Sequence, residues 1–306
     1  MRAFIFPGQG SQSVGMGKAL AESSSVARHL FEEVDEALGQ RLFRLMAEGP
    51  QEDLTLTENA QPAIMANAVA TLRVSGIAVD KADFVAGHSL GEYSALCAAG
   101  SFDLPTTARL LKLRGQAMQR AVPVGEGAMA ALLGAGLEVA RAVAEAAAQG
   151  EICVVANDND PSQVVISGHR DAVERALDIA KEKGARRAVL LPVSAPFHSP
   201  LMEPAAREME QALAGVGIDE PAVPLYANVT AAPVEEPDEI RRLLVEQVTE
   251  MVRWRESVAA MAEAGVDHFV ELGGKVLGPM VKRIAPDARV TSVVTMDDIE
   301  GLVKEI

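Results

Sequence analysis

The chain has 306 residues, 49% hydrophobic and 23% charged, which suits one large α/β domain or a domain carrying an insertion. A formal net charge of −15 and a pI near 4.8 argue against nucleic acid and against an anionic membrane surface as partners. Mean hydropathy is +0.13, no apolar run reaches the ~18–20 residues of a membrane helix, and the apolar part of the N-terminus is too short for a secretory signal, so a cytoplasmic protein is expected. Cys97 and Cys153 lie in apolar surroundings without ligand spacing and read as buried free thiols. The five histidines show no HxxxH and no pairing with cysteine, so no metal site is expected.

In chain order, residues 2–6 (RAFIF) are β-prone and stop at Pro7-Gly8. A second strand is predicted in KADFVAGHS (81–89), followed at once by a helix in LGEYSALCAAG (90–100). A longer helix is predicted over 104–122, opened by a Pro and Thr signal. Between about 126 and 192 the order is strand, helix, strand, strand, helix, strand, the βαββαβ ferredoxin-like unit. Helices are then expected at 201–217, 235–250 and near Trp254, with strands at 224–230, 267–273 and 288–294. The expectation is an α/β-hydrolase-like core of mostly parallel sheet (1–124 and 193–306), interrupted by a small ferredoxin-like subdomain (125–192).

Gly87-His88-Ser89-Leu90-Gly91 is G-x-S-x-G, set between a predicted strand and a predicted helix. The glycines permit a tight turn that exposes a serine hydroxyl above the sheet. The helix that follows points N–H groups and a partial positive charge at the same spot. The N–H of Leu90 is one donor that an oxyanion on acylated Ser89 could use. The same letters also fit a glycine-rich turn with a capping serine; the strand–motif–helix context favours the nucleophile. Glu92 sits where it could simply favour the helix dipole, and no chemistry is assigned to it. His88 adjoins Ser89 and leaves the strand on the opposite face, a poor place for a base.

A serine hydroxyl needs a base within reach. His29 falls in a surface helix, His169 opens the second helix of the insertion, and His268 begins a late strand. His198 lies in PVSAPFHSP, a Pro-bounded loop where the chain returns to the main sheet, and catalytic bases favour such loops. The residues alone leave His198 one candidate among these. FPGQGSQ (6–12) resembles a phosphate loop, but position 13 is Ser where G-x-G-x-x-G needs Gly, and no G-x-x-x-x-G-K-[ST] occurs. It is either an ordinary turn or a place where the N–H of Gln9 supplies a second oxyanion donor.

FPGQGSQ, TENAQPAIMANAVA, GHSLGEYSAL, LLKLRGQAMQ, NDNDPSQVVISG, PVSAPFHSPLM and EQVTEMVRW occur in this order. Together they resemble the malonyl-CoA:acyl carrier protein transacylases of fatty acid synthesis over nearly the whole chain. The resemblance implies that Ser89 carries the malonyl ester and that His198 is its general base. It implies that Gln9 and Leu90 give backbone oxyanion donors, that Arg114 holds the malonyl carboxylate, and that Gln247 orients His198 through its main-chain carbonyl. A guanidinium pairs with a carboxylate in a bidentate way that Lys cannot match. Phe197 would disfavour a branched extender by sterics. One departure stands out: many relatives read E-x-G-P-G-K-V-L where this chain reads ELGGKVLGPM (271–280), without the Pro.

The implied reaction passes malonyl from malonyl-CoA to Ser89 and then to the phosphopantetheine thiol of acyl carrier protein, with no metal or bound cofactor. A monomer is expected. Lys181, Lys183, Arg186 and Arg187 could dock an acidic carrier, or could simply be a solvated helix end. An acyl hydrolase with the same Ser–His pair, a trans-acting polyketide synthase acyltransferase and a non-catalytic carrier-binding component are the alternatives.

Overall fold

A computed structural model describes residues 1–193 and 195–306. Its main sheet is built from β1 (Arg2–Phe6), β2 (Phe84–Gly87), β7 (Leu225–Ala227), β8 (Ala232–Val234), β9 (His268–Leu272) and β10 (Arg289–Val293). The order is β10-β9-β1-β2-β7-β8, and every pair is parallel except β7 with β8. β1 is apolar and buried after Arg2, and every residue of β9 is buried, because helices cover both faces of the sheet. The C-terminal ends of β1 and β2 deliver the chain to the turns that line the functional site.

The segment read as βαββαβ forms a second sheet from β3 (Gly127–Leu133), β4 (Cys153–Asp160), β5 (Gln163–His169) and β6 (Arg187–Leu190). Its order is β4-β5-β3-β6 and all pairs are antiparallel. The side chains of β3 alternate between two cores. Ala128, Ala130 and Leu132 pack with the helices Leu137–Ala148 and Arg170–Glu182, whereas Met129 and Ala131 join the main core. The small sheet is thus apolar on both faces and must sit on the larger one.

Two backbone bonds extend β4 onto the core, Asp158 N–H to Val252 O (3.0 Å) and Val252 N–H to Ala156 O (2.9 Å). Ion pairs fasten the same edge: Arg255 to Asp158 at 2.7 Å and Arg283 to Asp160 at 2.8 Å, both carboxylates being fully buried.

Several elements lie outside the sequence reading. Five helices fill the stretch between the first two strands: Lys18–Ser23, Ser25–Leu38, Leu42–Glu48, Gln51–Thr55 and Thr57–Ser75. β8, the helix Leu277–Ile284 and the C-terminal helix Met296–Glu305 are also additions, the last opened by a capping box of Thr295 and Asp298. The expected helix over 235–250 stops earlier, at Pro237–Glu246. The turn that lacks the family's Pro is held by Glu271, whose carboxylate accepts the N–H groups of Val276 (2.8 Å), Leu277 (2.9 Å) and Gly278 (2.8 Å). No helix among the described residues is long and apolar enough to cross a membrane.

Candidate active site

β2 ends at Gly87 and the helix Gly91–Ala98 begins four residues later, with Ser89 at the turn in a left-handed backbone (φ 54°). The glycines are steric requirements. A Cβ on Gly87 would stand 1.9 Å from the Gly91 carbonyl carbon, and one on Gly91 would stand 2.3 Å from Phe6 O. The FPGQG turn packs as tightly, since a Cβ on Gly8 would lie 2.6 Å from His88 O, and Gly10 needs φ 104°. Both glycine-rich turns therefore serve one close approach, which brings Gln9 to the cavity that Ser89 and Leu90 line. Leu90 N–H opens a helix, where backbone donors lack intrahelical partners. The Gln9 side chain is held separately, accepting from Thr57 Oγ1 at 3.0 Å.

His198 Nε2 lies 2.8 Å from Ser89 Oγ, and His198 Nδ1 lies 2.8 Å from the main-chain carbonyl of Gln247. A carbonyl can only accept, so Nδ1 carries the proton and Nε2 presents its lone pair to the serine. The early end of the 237–246 helix explains why that carbonyl is available: the last carbonyls of a helix have no partner within it. Burial pushes His198 down to about 3, and the neighbouring Arg114 charge adds to the effect. The imidazole is therefore neutral near neutral pH, the state a base requires.

Arg114 projects from the helix Leu104–Ala121 and is 1% exposed. Its Nη1 donates to Gln61 Oε1 (2.8 Å), and its Nη2 donates to Gln247 Oε1 (2.7 Å) and Ser89 Oγ (3.2 Å). Its Cζ sits 5.8 Å from the Tyr93 ring centroid. Among the described residues no carboxylate bonds it, and its buried Nε has no partner. A buried cation with only neutral acceptors is an unfinished ion pair.

The cavity has a volume of about 270 Å³ and draws its walls from both sheets, with Met129 and Asn157 from the small one. Phe197, 8% exposed, is part of the wall. His88 Nε2 is 2.7 Å from Asn159 Oδ1, across the boundary between the sheets.

Three contributors escaped the sequence reading. Asn228, just past β7, accepts Ser89 N–H at 2.8 Å and donates to Gly87 O at 2.7 Å, pinning the turn. Gln61 bonds Arg114, as above. Glu92, set aside as a dipole effect, is 1% exposed and accepts from Gln247 Nε2 (2.8 Å) and Asn228 N–H (3.2 Å). The quoted TENAQPAIMANAVA run contained Gln61, whereas Asn228 falls inside the strand expected over 224–230, with nothing local to single it out. Nothing local distinguishes a buried Glu in a first helical turn from an exposed one.

The acyl transferase domain model matches residues 3–276. The malonyl CoA-acyl carrier protein transacylase of Bacillus subtilis is 45% identical over 303 residues, covering 97% of this chain and 95% of that one. The acyl-carrier-protein-S-malonyltransferase structure from Bartonella henselae superposes with TM-score 0.97 at 52% identity, covering 99% and 98% of the two chains. A malonyl-transacylase solved in complex with its type II PKS acyl-carrier protein gives TM-score 0.96 at 40% identity, covering 100% and 99%. The chain belongs to the acyl transferase family and, within it, to the malonyl CoA-acyl carrier protein transacylases.

Proposed function

We propose that this protein transfers malonyl from malonyl-CoA to the phosphopantetheine thiol of acyl carrier protein through an ester on Ser89. The observation that carries the reading is the buried Arg114 guanidinium, 3.2 Å from Ser89 Oγ and without a carboxylate partner. An acyl group esterified to Ser89 and ending in a carboxylate completes that ion pair; an acetyl group leaves it open.

Ser89 Oγ attacks the thioester carbon as His198 Nε2 takes its proton. The Oγ–C bond forms, the C–S bond breaks, and the proton passes to the departing CoA sulfur. The carrier's thiol then repeats the steps in reverse. The N–H groups of Gln9 and Leu90 are the donors for the tetrahedral oxyanion, and the Gln247 carbonyl holds the imidazole in one tautomer in place of a triad carboxylate. Phe197 narrows the wall against an α-branch. The exchange of thioester, ester and thioester needs no redox or metal chemistry, so no cofactor is assigned. We further read residues 1–124 and 193–306 as the catalytic core and 125–192 as the subdomain that covers it, in a cytoplasmic monomer. The polyketide carrier in the complex with the 40% identical relative leaves a polyketide carrier as a second acceptor class.

The test is the intact mass of the protein mixed with malonyl-CoA, with Ser89→Ala as control. The expected result is a malonyl adduct that persists in buffer and leaves when holo carrier protein is added. An adduct that decays equally fast without carrier means a hydrolase. No adduct on wild type means that the turn at Ser89 is only structural.

A further inference from the structure

Gln247 is the hub of the site. Its main-chain carbonyl takes the His198 proton donor, and its side-chain Oε1 takes Arg114. Which end of the amide faces Arg114 depends on what holds the other end. The Nε2 end donates to Glu92 Oε2 (2.8 Å) and Ser89 O (3.0 Å), and it lies 3.3 Å from Asn228 Oδ1. Three acceptors on one side leave a single orientation, with Oε1 on the cation. Glu92 is the only ionisable group of the three. It reaches Arg114 through one intervening amide.

We propose that Glu92 is a positioning residue that fixes the Gln247 amide and supplies the negative charge Arg114 lacks in the empty site, so that loading a carboxylated acyl group onto Ser89 is coupled to proton uptake at Glu92. The inference rests on the malonyl reading above. The site holds one positive charge. With Glu92 ionised, the malonyl carboxylate brings a second negative charge into a buried pocket, and the two repel. A proton taken from the buffer by Glu92 removes the repulsion, while the Ser89 hydroxyl proton still leaves with the CoA sulfur, so the balance gains one proton on the enzyme. Burial already pushes the Glu92 carboxyl up to about 7, against the pull of Gln247, Asn228 and Arg114, so a modest further push falls in a measurable window.

The other ionisable groups around Glu92 stay fixed in that window. Arg114 on the Leu104–Ala121 helix remains a cation, while burial raises Tyr93 on its own helix. Burial lowers His88 after β2 and His198 in the loop beyond β6. Of the strands packed against its helix, β2 and β7 carry no charged residue, and β1 carries only Arg2 at its first position, which donates to Lys81 O and His268 Nδ1. On the Thr57–Ser75 helix the charged residues are Glu58, paired with Lys112, and Arg73 in the last turn.

The experiment is the equilibrium of malonyl loading, read as the malonylated fraction by intact mass at a fixed ratio of malonyl-CoA to CoA, from about pH 6 to 8.5. An equilibrium is indifferent to the kinetic role of His198. Wild type is expected to lose loading as pH rises past about 7, by at most about tenfold per pH unit, the slope of a single proton. Glu92→Gln, which keeps an acceptor for Gln247 and removes the charge, is expected to load with a constant independent of pH. Glu92→Ala, which also frees the amide, is expected to load worse than Glu92→Gln at every pH, with circular dichroism reporting whether it folds. A flat wild-type curve, or the same slope in Glu92→Gln, overturns the proposal while leaving the malonyl reading intact. Absence of any adduct on wild type overturns both.

Discussion

Ser89 and His198 meet at 2.8 Å, and each holds a left-handed backbone, φ 54° and 53°. A side chain in that region costs of order 1–2 kcal/mol, so both partners carry strain that surrounding contacts must overcome. For Ser89 those contacts are the two Asn228 bonds and the close packing of Gly87 against Gly91. Ser89→Gly should relieve the strain, and Ser89→Ala should not. We expect the glycine variant to be more stable than the alanine variant by about 1 kcal/mol in urea unfolding, with neither able to be acylated. Equal stabilities would mean that the turn is unstrained.

Arg114 sets the next expectation. Arg114→Met keeps much of the volume of the side chain and removes the charge. Breaking one side of a buried ion pair costs about 3 kcal/mol, so malonyl loading should fall roughly 100-fold. Acetyl loading, which wild type disfavours by leaving the guanidinium unpaired, should hold or rise. Parallel losses for both acyl groups would show that Arg114 supports the fold rather than the choice of acyl group.

The parts of this site that could be read from the sequence share a physical character. The turn at Ser89 declares itself because a tight strand–helix junction demands glycines at fixed spacing. The ferredoxin-like order is visible because its strands alternate between two cores and its helices are amphipathic. The helix Thr57–Ser75 gave no such signal, since it is buried nearly all round and has no polar face to set a period. β8 is three residues long and contains Pro233. Glu92 and Asn228 act through tertiary contacts 136 residues apart in sequence, and no local pattern encodes such a meeting. His198 could not be singled out by residue type alone; its partner is a backbone carbonyl, which every residue possesses.

The pH dependence follows from opposed shifts. Burial, with Arg114 behind it, holds His198 down at about 3, and a base works above its pKa. On the acid side the kcat/KM for malonyl-CoA should therefore stay level from about pH 7 down to 5, without the acid limb near 6.5 of an ordinary histidine. In Arg114→Met the second cause is gone, and the acid limb should move up. For stability the signs differ. The folded pKa of His198 is depressed, so stability falls as pH drops below the unfolded value near 6.5. Glu92 is raised from 4.5 to about 7, so its contribution grows as pH falls through that interval. The two nearly cancel in wild type. Glu92→Gln should therefore lose about 1.4 kcal/mol more per pH unit than wild type between about pH 6.5 and 4.5. Parallel stability curves would contradict the elevated Glu92.

The pairs Asp158–Arg255 and Asp160–Arg283 hold the small sheet where its Asn157 and Asn159 reach the cavity and His88. Both carboxylates are fully buried, while Arg255 and Arg283 remain partly exposed. Asp158→Ala should cost about 2–3 kcal/mol, below the figure for a wholly buried pair because water can reach the orphaned Arg255. The catalytic consequence is separate. A loosened cover admits water to the malonyl ester. The half-life of the Ser89 adduct without acceptor should shorten severalfold, measured by mass against time. An unchanged half-life would assign the pair to stability alone.

The carrier protein must approach from a side that a net charge of −15 does not forbid. β6 is the edge strand of the small sheet, and the chain runs from it directly into Leu191, Pro192 and Val193 at the cavity wall. Arg186 and Arg187 stand exposed at the start of that strand, with Lys181 and Lys183 exposed at the end of the preceding helix. Lys181 is already paired with Asp178 at 3.5 Å, which leaves the arginines as the stronger anchors. Exposed charges act chiefly on encounter rate and are screened by salt. Arg186→Glu with Arg187→Glu should therefore raise the KM for carrier protein about tenfold at low salt, with less effect at high salt. Loading from malonyl-CoA alone should remain as in wild type, because neither residue lines the cavity. An unchanged KM would move the docking surface away from β6.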